Sequence, residues 1–355
     1  MSLPNNKNLP ISSLVQLFDS TATSYKFLLF KSILNKIENG NSKMSFREIA
    51  LGAISYAWYS VYYYRLNLGQ SDQMGKWIQL LSHEINHPTN TVEVNELIKN
   101  SDVISKILSD YKKYVPFRIL TPFFADELLG IPDHQKNKHI LGLSQNLSLS
   151  PLYRLSESDG DLLLSIDANW FDYLSENFSI IEGWWRTKYL EYLQRNNPTV
   201  LSLSTKLEPP VKRNMGVIKG LFKEYFEVYP TKRICFYSKT PLMEISHDHF
   251  LPWSFLGSDP TYNFVPSEKN INSIKSDKIP DESYIKNLAF FQADFFNFLK
   301  EKKTKECESY YQDLKIRDSF QKNDFVNSFA DFYIPLFKTA QNQGFTRWKY
   351  EQANE

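Results

Sequence analysis

Three prolines, Pro198, Pro209 and Pro210, divide this chain into two stretches whose apolar patterns differ. Proline fixes its own φ, removes a backbone donor and pushes the preceding residue out of the helical region, so no regular element runs through such a cluster. Upstream, the apolar spacing is helical: Tyr25, Phe27, Leu28, Phe30, Ile33, Leu34 and Ile37 form one face within residues 20–38. Residues 45–66, 70–85 and 92–114 repeat that spacing, and 170–195 return to it after an Asp159-Gly160 hairpin signal between 152–156 and 162–167. The expectation is an α+β, predominantly helical protein in three parts. These are a mainly helical N-terminal domain (1–205), a compact module (206–285) and an aromatic-rich helical region (286–355).

Composition narrows the function classes. With 355 residues, of which 42% are hydrophobic, the chain has ample material for packed cores. A formal net charge of +1 rules out a polycation, so any affinity for nucleic acid must come from local clusters. Two cysteines far apart, Cys235 and Cys307, argue against a disulfide framework and suit a reducing compartment. The first ten residues lack the apolar core of a signal peptide. The longest apolar run, residues 54–64, falls short of the ~18 or more needed to span a membrane and reads as a buried helix. A cytoplasmic protein with no membrane partner is expected, and its Lys- and Asn-rich usage hints at an AT-rich bacterial genome.

Beyond the proline cluster the pattern shortens. A helix at 214–226 is followed by two strand-like runs, 233–237 and 244–248, around the turn SKTPL. Ser267 is an N-cap candidate for a helix over 268–275, with Asn263 in the intervening loop. The aromatic run Phe290, Phe291, Phe295, Phe296, Phe298 and Leu299 has the spacing of a core-packing helix.

Within residues 235–280 the pieces HDHFLPWS, NFVPS and NxxKSDKIP follow one another, carrying Asp248-His249, Asn263, Asn272 and Lys275. In order and spacing they resemble the HNH (ββα-metal) nuclease family in its HNN version, to which the HNH domain of the CRISPR RNA-guided DNA nucleases also belongs. Taken singly, each residue has an ordinary reading: Asp248-His249 as a strand-end turn, Asn263 and Asn272 as loop and helix-surface amides, Lys275 as a solvated charge. Their conjunction is what carries the resemblance.

The resemblance implies a metal-dependent endonuclease or nickase that hydrolyses DNA phosphodiester bonds. Cutting such a bond requires an activated water, a cation against the charge building on phosphate, and in-line geometry. His249 is the candidate general base, since an ordinary imidazole is largely neutral at cellular pH. Asp248 and Asn272 are the candidate oxygen ligands of one Mg²⁺ or Mn²⁺ ion. Asn263 would brace the loop and orient His249, and Lys275, one helical turn beyond Asn272, would reach a phosphate. His247 points to the opposite side of its strand from Asp248, which argues against a direct role.

Two features qualify this picture. Many family members hold a structural zinc through two CxxC pairs, but the corresponding positions here are Cys235, Ser238, Glu268 and Ile271, so no structural zinc is expected. Elsewhere, His83-Glu84-Ile85-Asn86-His87 matches the HExxH pattern of zinc peptidases, although Pro88 disfavours the helix that normally carries it. Three functions therefore stand open: a DNA endonuclease in bacterial genome defence, a catalytically silent HNH fold that binds DNA or assembles with partners, and a zinc peptidase. The N-terminal domain matches no recognisable family and is expected to serve targeting, sensing or the docking of a protein partner or activator.

Overall fold

The computed structural model describes residues 3–19, 21–85, 88, 90–158, 160–210 and 213–351, and it is α+β with helix predominant. The chain forms two compact units, Met1–Pro210 and Val211–Glu355, so the break falls directly after the last proline of the cluster, five residues beyond the expected 205. The expected modules 206–285 and 286–355 are not separate, because their apolar side chains share one core.

In the first unit, helix α1 (Tyr25–Glu38) packs on α2 (Phe46–Trp58). Strand β1 (Lys43–Ser45) lies between them in sequence, and Ser45 starts α2 with a capping box: its Oγ accepts from Glu48 N, and its own N–H donates to the Glu48 carboxylate. The 54–64 run is buried from Ile54 to Ser60, but it leaves α-helical geometry after Trp58 for one wider turn, Tyr59–Tyr63, on which Tyr62 is exposed. Helix α3 (Met74–Ser82) follows. The 92–114 periodicity resolves into two helices, α4 (Thr91–Lys99) and α5 (Ile104–Lys112). The break occurs where Asn100 and Ser101 side chains bond nearby backbone groups, offering the chain an alternative to continued helix.

After α6 (Asp133–Ser144), strands β2 (Arg154–Ser158) and β3 (Asp161–Ser165) pair antiparallel, and β1 completes a sheet of order β1-β3-β2. Gly160 takes the left-handed conformation (φ 79°) that the hairpin requires, whereas Asp159 lies outside the described residues. The 170–195 run becomes α7 (Ala168–Glu176) and α8 (Phe178–Asn196), which bury Trp170, Trp184 and Trp185.

The second unit opens with α9 (Gly216–Val228), whose Phe222 and Tyr225 stand among the rings of α11 (Tyr284–Glu301). Strand β4 (Ser246–His249) pairs antiparallel with β5 (Phe264–Ser267), setting Asp248 opposite Val265 and His249 opposite Phe264. Helix α10 (Lys269–Lys275) follows β5 directly. Strand β6 (Ile279–Pro280), α11 and α12 (Lys322–Asn342) come next, and β7 (Arg347–Trp348) pairs parallel with β6. On α11, Phe295, Phe296, Phe298 and Leu299 are buried while Phe290 is exposed at the rim.

The strand pairing differs from the sequence expectation. Residues 233–237 form a tight turn structure with one isolated bridge, Ile234 to Pro241, and Lys239 adopts a positive φ of 64°. Within this turn Cys235 N donates to Thr240 O and Leu242 N to Arg233 O, while Phe236 N donates to Pro266 O of β5; the strand partner of β4 is β5, beyond the loop.

Gln292 of α11 is fully buried, donates to Phe264 O at 2.7 Å and accepts from Tyr310 OH at 2.6 Å. Gln292→Leu leaves both partners unpaired in the core and should cost about 2–4 kcal/mol. Hydrogen–deuterium exchange of the full chain should show lost protection across β5, and unchanged protection there would reject this role for the bridge.

Candidate active site

Five side chains singled out in the sequence fall within the β4-loop-β5-α10 unit. Strand alternation sorts them: Ser246 and Asp248 face α10, whereas His247 and His249 face the other side. On the α10 side, Lys275 is completely buried and its Nζ donates to Asp248 Oδ1 at 3.0 Å and to the His249 carbonyl at 2.7 Å. The other carboxylate oxygen, Asp248 Oδ2, accepts from Tyr237 OH at 2.5 Å. Burial, then the Asp248 charge, holds the Tyr237 pKa well above its ordinary value, so this hydroxyl donates. Asn272, one turn before Lys275, donates from Nδ2 to Ser246 Oγ at 2.8 Å. Lys275 thus ties α10 to β4 internally and is not presented to solvent as the phosphate-reaching cation of the sequence expectation.

Asn263 is fully buried at the end of the loop. Its Oδ1 accepts from Leu251 N and its Nδ2 donates to Leu251 O, both at 2.9 Å, while its carbonyl accepts from Phe250 N at 2.8 Å. Tyr333 of α12 donates to the same Oδ1. The loop is therefore closed on the two residues that follow His249, and Asn263 acts on that backbone with no bond to the imidazole.

His249 lies on the opposite face, its ring against Phe264 and only 12% exposed. Its Nε2 is 2.6 Å from Asp259 Oδ1 and 2.8 Å from Arg213 Nη1, and those two partners are themselves 3.0 Å apart. Burial pushes the His249 pKa below the ordinary imidazole value, against the opposing effect of the Asp259 hydrogen bond, so the ring is neutral near pH 7. Burial alone would raise Asp259, but the His249 bond and the charges of His249 and Arg213 outweigh it and hold that carboxyl low. His247 packs edge-on against Phe222, and its pKa is pushed down to about 4 by burial and then by Lys219.

Sequence reasoning missed Asp259, Arg213 and Tyr237. Asp259 sits in the loop ten residues after His249, and Arg213 lies 36 residues before it, in the segment that follows the prolines. Nothing in their local sequence marks them, because their relation to His249 exists only once the loop and that segment have folded around the strand.

The positions at which the resemblance would place zinc ligands, Cys235, Ser238 and Glu268 among them, carry a hydrogen-bonded clamp. Cys235 is buried with Sγ 4.0 Å from Ser267 Oγ. Ser238 Oγ and Thr240 Oγ1 both donate to Glu268 Oε1, at 2.8 and 2.5 Å. Glu268 is also the N-cap of α10, one residue later than expected, so the clamp fixes the start of the helix that carries Asn272 and Lys275.

A hard divalent ion would find oxygen donors here. The Asp248 carboxylate has about four lone-pair sites, of which Tyr237 and Lys275 take two, and the amide nitrogen of Asn272 faces Ser246, leaving its carbonyl oxygen as the coordinating atom. Among the described residues no three His, Cys, Asp or Glu side chains form a metal cluster, so amide, phosphate and water would have to complete the shell. The HExxH segment is arranged differently from a zinc-peptidase helix. Helix α3 ends at Ser82 with His83 as its C-cap, and His87 lies outside the described residues. No protein family matches the chain, and no curated protein or solved structure matches it either.

Glu268→Ala removes both hydroxyl contacts and should destabilise the second unit by about 1–2 kcal/mol. Adding zinc should not restore it. A thermal melt of the variant with and without zinc checks both points, and zinc rescue would mean that these positions still form a metal site.

Proposed function

We propose that the protein is a metal-dependent nuclease of the HNH type that hydrolyses phosphodiester bonds, with DNA as its substrate and genome defence as its setting. The observation that carries this reading is the antiparallel pair β4–β5 followed at once by α10, a ββα unit in which Asp248-His249 ends the first strand and Asn272 sits on the helix facing it. None of these three side chains would be expected at those places from burial or helix propensity alone. A buried, neutral imidazole beside an exposed loop is suited to take a proton.

In this reading His249 accepts a proton from water, whose oxygen bonds to phosphorus as the bond to the leaving sugar oxygen breaks; that oxygen takes its proton from solvent. Asn263 holds the backbone after His249, so the ring keeps its place. Asp248 and Asn272 would hold one Mg²⁺ or Mn²⁺ ion, which when bound neutralises charge on the phosphate. Lys275 offsets the charge of Asp248, so the protein alone attracts the ion weakly, and phosphate is needed to complete the attraction.

One observation favours a second reading: both Asp248 oxygens and the His249 Nε2 are already engaged by protein groups, as they would be in a catalytically silent HNH fold that binds DNA or a partner. A plasmid incubated with Mg²⁺, Mn²⁺ or EDTA separates the two. The nuclease should cut only with metal, and His249→Ala should abolish cutting without lowering the melting temperature by more than a few degrees. Wild-type activity in that variant would sink the assignment.

Asn272 gives the finer test. Asn272→Ala should shift the Mn²⁺ dependence of cleavage at least tenfold upward and nearly abolish turnover, while Asn272→His, which keeps a metal-binding atom, should retain more activity. An Ala variant as active as wild type at low Mn²⁺ would falsify the metal site, since a surface amide would be replaced neutrally.

A further inference from the structure

Resting on the nuclease reading, we propose that Asp259 is a positioning residue for His249: its carboxylate fixes the imidazole with the proton on Nε2 and leaves Nδ1 as the nitrogen that accepts the proton from water. The three atoms at issue form a triangle, His249 Nε2 to Asp259 Oδ1 at 2.6 Å, His249 Nε2 to Arg213 Nη1 at 2.8 Å, and Arg213 Nη1 to Asp259 Oδ1 at 3.0 Å. Both tautomers of a neutral imidazole offer Nε2 something, so the partners decide between them.

If Nε2 were bare, it would accept from Arg213, but its lone pair would then face a carboxylate lone pair at 2.6 Å. A carboxylate only accepts, and a contact of that length between two acceptors is repulsive. With the proton on Nε2, the imidazole donates to Asp259 over the shortest contact of the triangle and Arg213 Nη1 donates to the same oxygen at 3.0 Å; the 2.8 Å approach of Arg213 Nη1 to Nε2 is then between two donors, whose hydrogens both turn to the carboxylate between them. No described residue hydrogen-bonds Nδ1, which is therefore available to water.

Arg213 is the second member of the arrangement. It pairs with Asp259 and lies over the Trp253 ring at 5.2 Å, so it is anchored on the loop that carries Asp259 rather than held by His249 alone. Its task is to hold the Asp259 carboxylate in the position that the imidazole meets.

The test joins a spectroscopic readout to kinetics on the full chain. In ¹⁵N-histidine-labelled wild-type protein, the His249 signals, assigned by their loss in His249→Gln, should report the Nε2–H tautomer. In Asp259→Asn that tautomer should no longer be the sole form, because an amide can donate as well as accept. With a DNA duplex as substrate, Asp259→Asn should lower kcat about 10- to 100-fold with KM within about threefold, as outer partners of an active-site group typically do. Asp259→Glu should recover part of the loss. A wild-type His249 in the Nδ1–H form, or an Asp259→Asn variant with wild-type kcat, overturns the proposal. A fall in melting temperature that accounts for the lost kcat, with the tautomer unchanged, also overturns it by showing a structural role only. Should the wild type cut no nucleic acid with any metal, the nuclease reading fails, and the tautomer measurement still decides whether Asp259 sets the imidazole.

Discussion

A buried ion pair, Lys275 with Asp248, is what holds α10 against β4. Both side chains are almost wholly removed from water, and an unpaired charge in that place would cost several kcal/mol, so the pair forms only when strand and helix are correctly docked. The Lys275 bond to the His249 carbonyl extends the same constraint one residue further, to the end of the strand. Asn272 reaches Ser246 because Lys275 has set the helix, and His249 is turned to the far face because Asp248 is turned to the near one.

Around that pair the second unit is held by buried hydrogen bonds. Glu268 joins the 238–240 turn to the start of α10, Asn263 closes the loop onto residues 250–251, and Gln292 with Tyr310 fixes the backbone of β5. Tyr333 brings α12 to Asn263 as well. The C-terminal helices are therefore the scaffold of the site, which explains why they share its core instead of forming a domain of their own. Buried polar networks of this kind specify one arrangement, because any slip leaves a group unsatisfied.

Each face of β4 has its own electrostatics. Toward α10 the charges cancel within the protein, Lys275 against Asp248, so in the proposed reading a dication would gain little before phosphate arrived. Toward the loop, His249 is dry enough to stay neutral, yet it is tied to a carboxylate and a guanidinium at the surface. In the proposed mechanism the base is thus preset before substrate binds, while the cation site is completed by the substrate itself.

The helical class and a break near the proline cluster were legible in the sequence, because each depends on local rules: apolar spacing and proline geometry. Asn263 could be assigned a bracing role, but its partners, Leu251 and Tyr333, lie 12 and 70 residues away and were not legible. The strand pairing was misplaced for a related reason. Residues 233–237 have strand-like composition, yet Pro241 and the left-handed Lys239 take them into a turn, and only tertiary docking reveals that β4 pairs with β5. Asp259 and Arg213 are the clearest case. Sequence by itself determined which chemical groups the site contains, whereas the folded chain decided which groups meet, because a hydrogen bond of 2.6 Å between a strand histidine and a loop aspartate depends on backbone positions that no local pattern encodes.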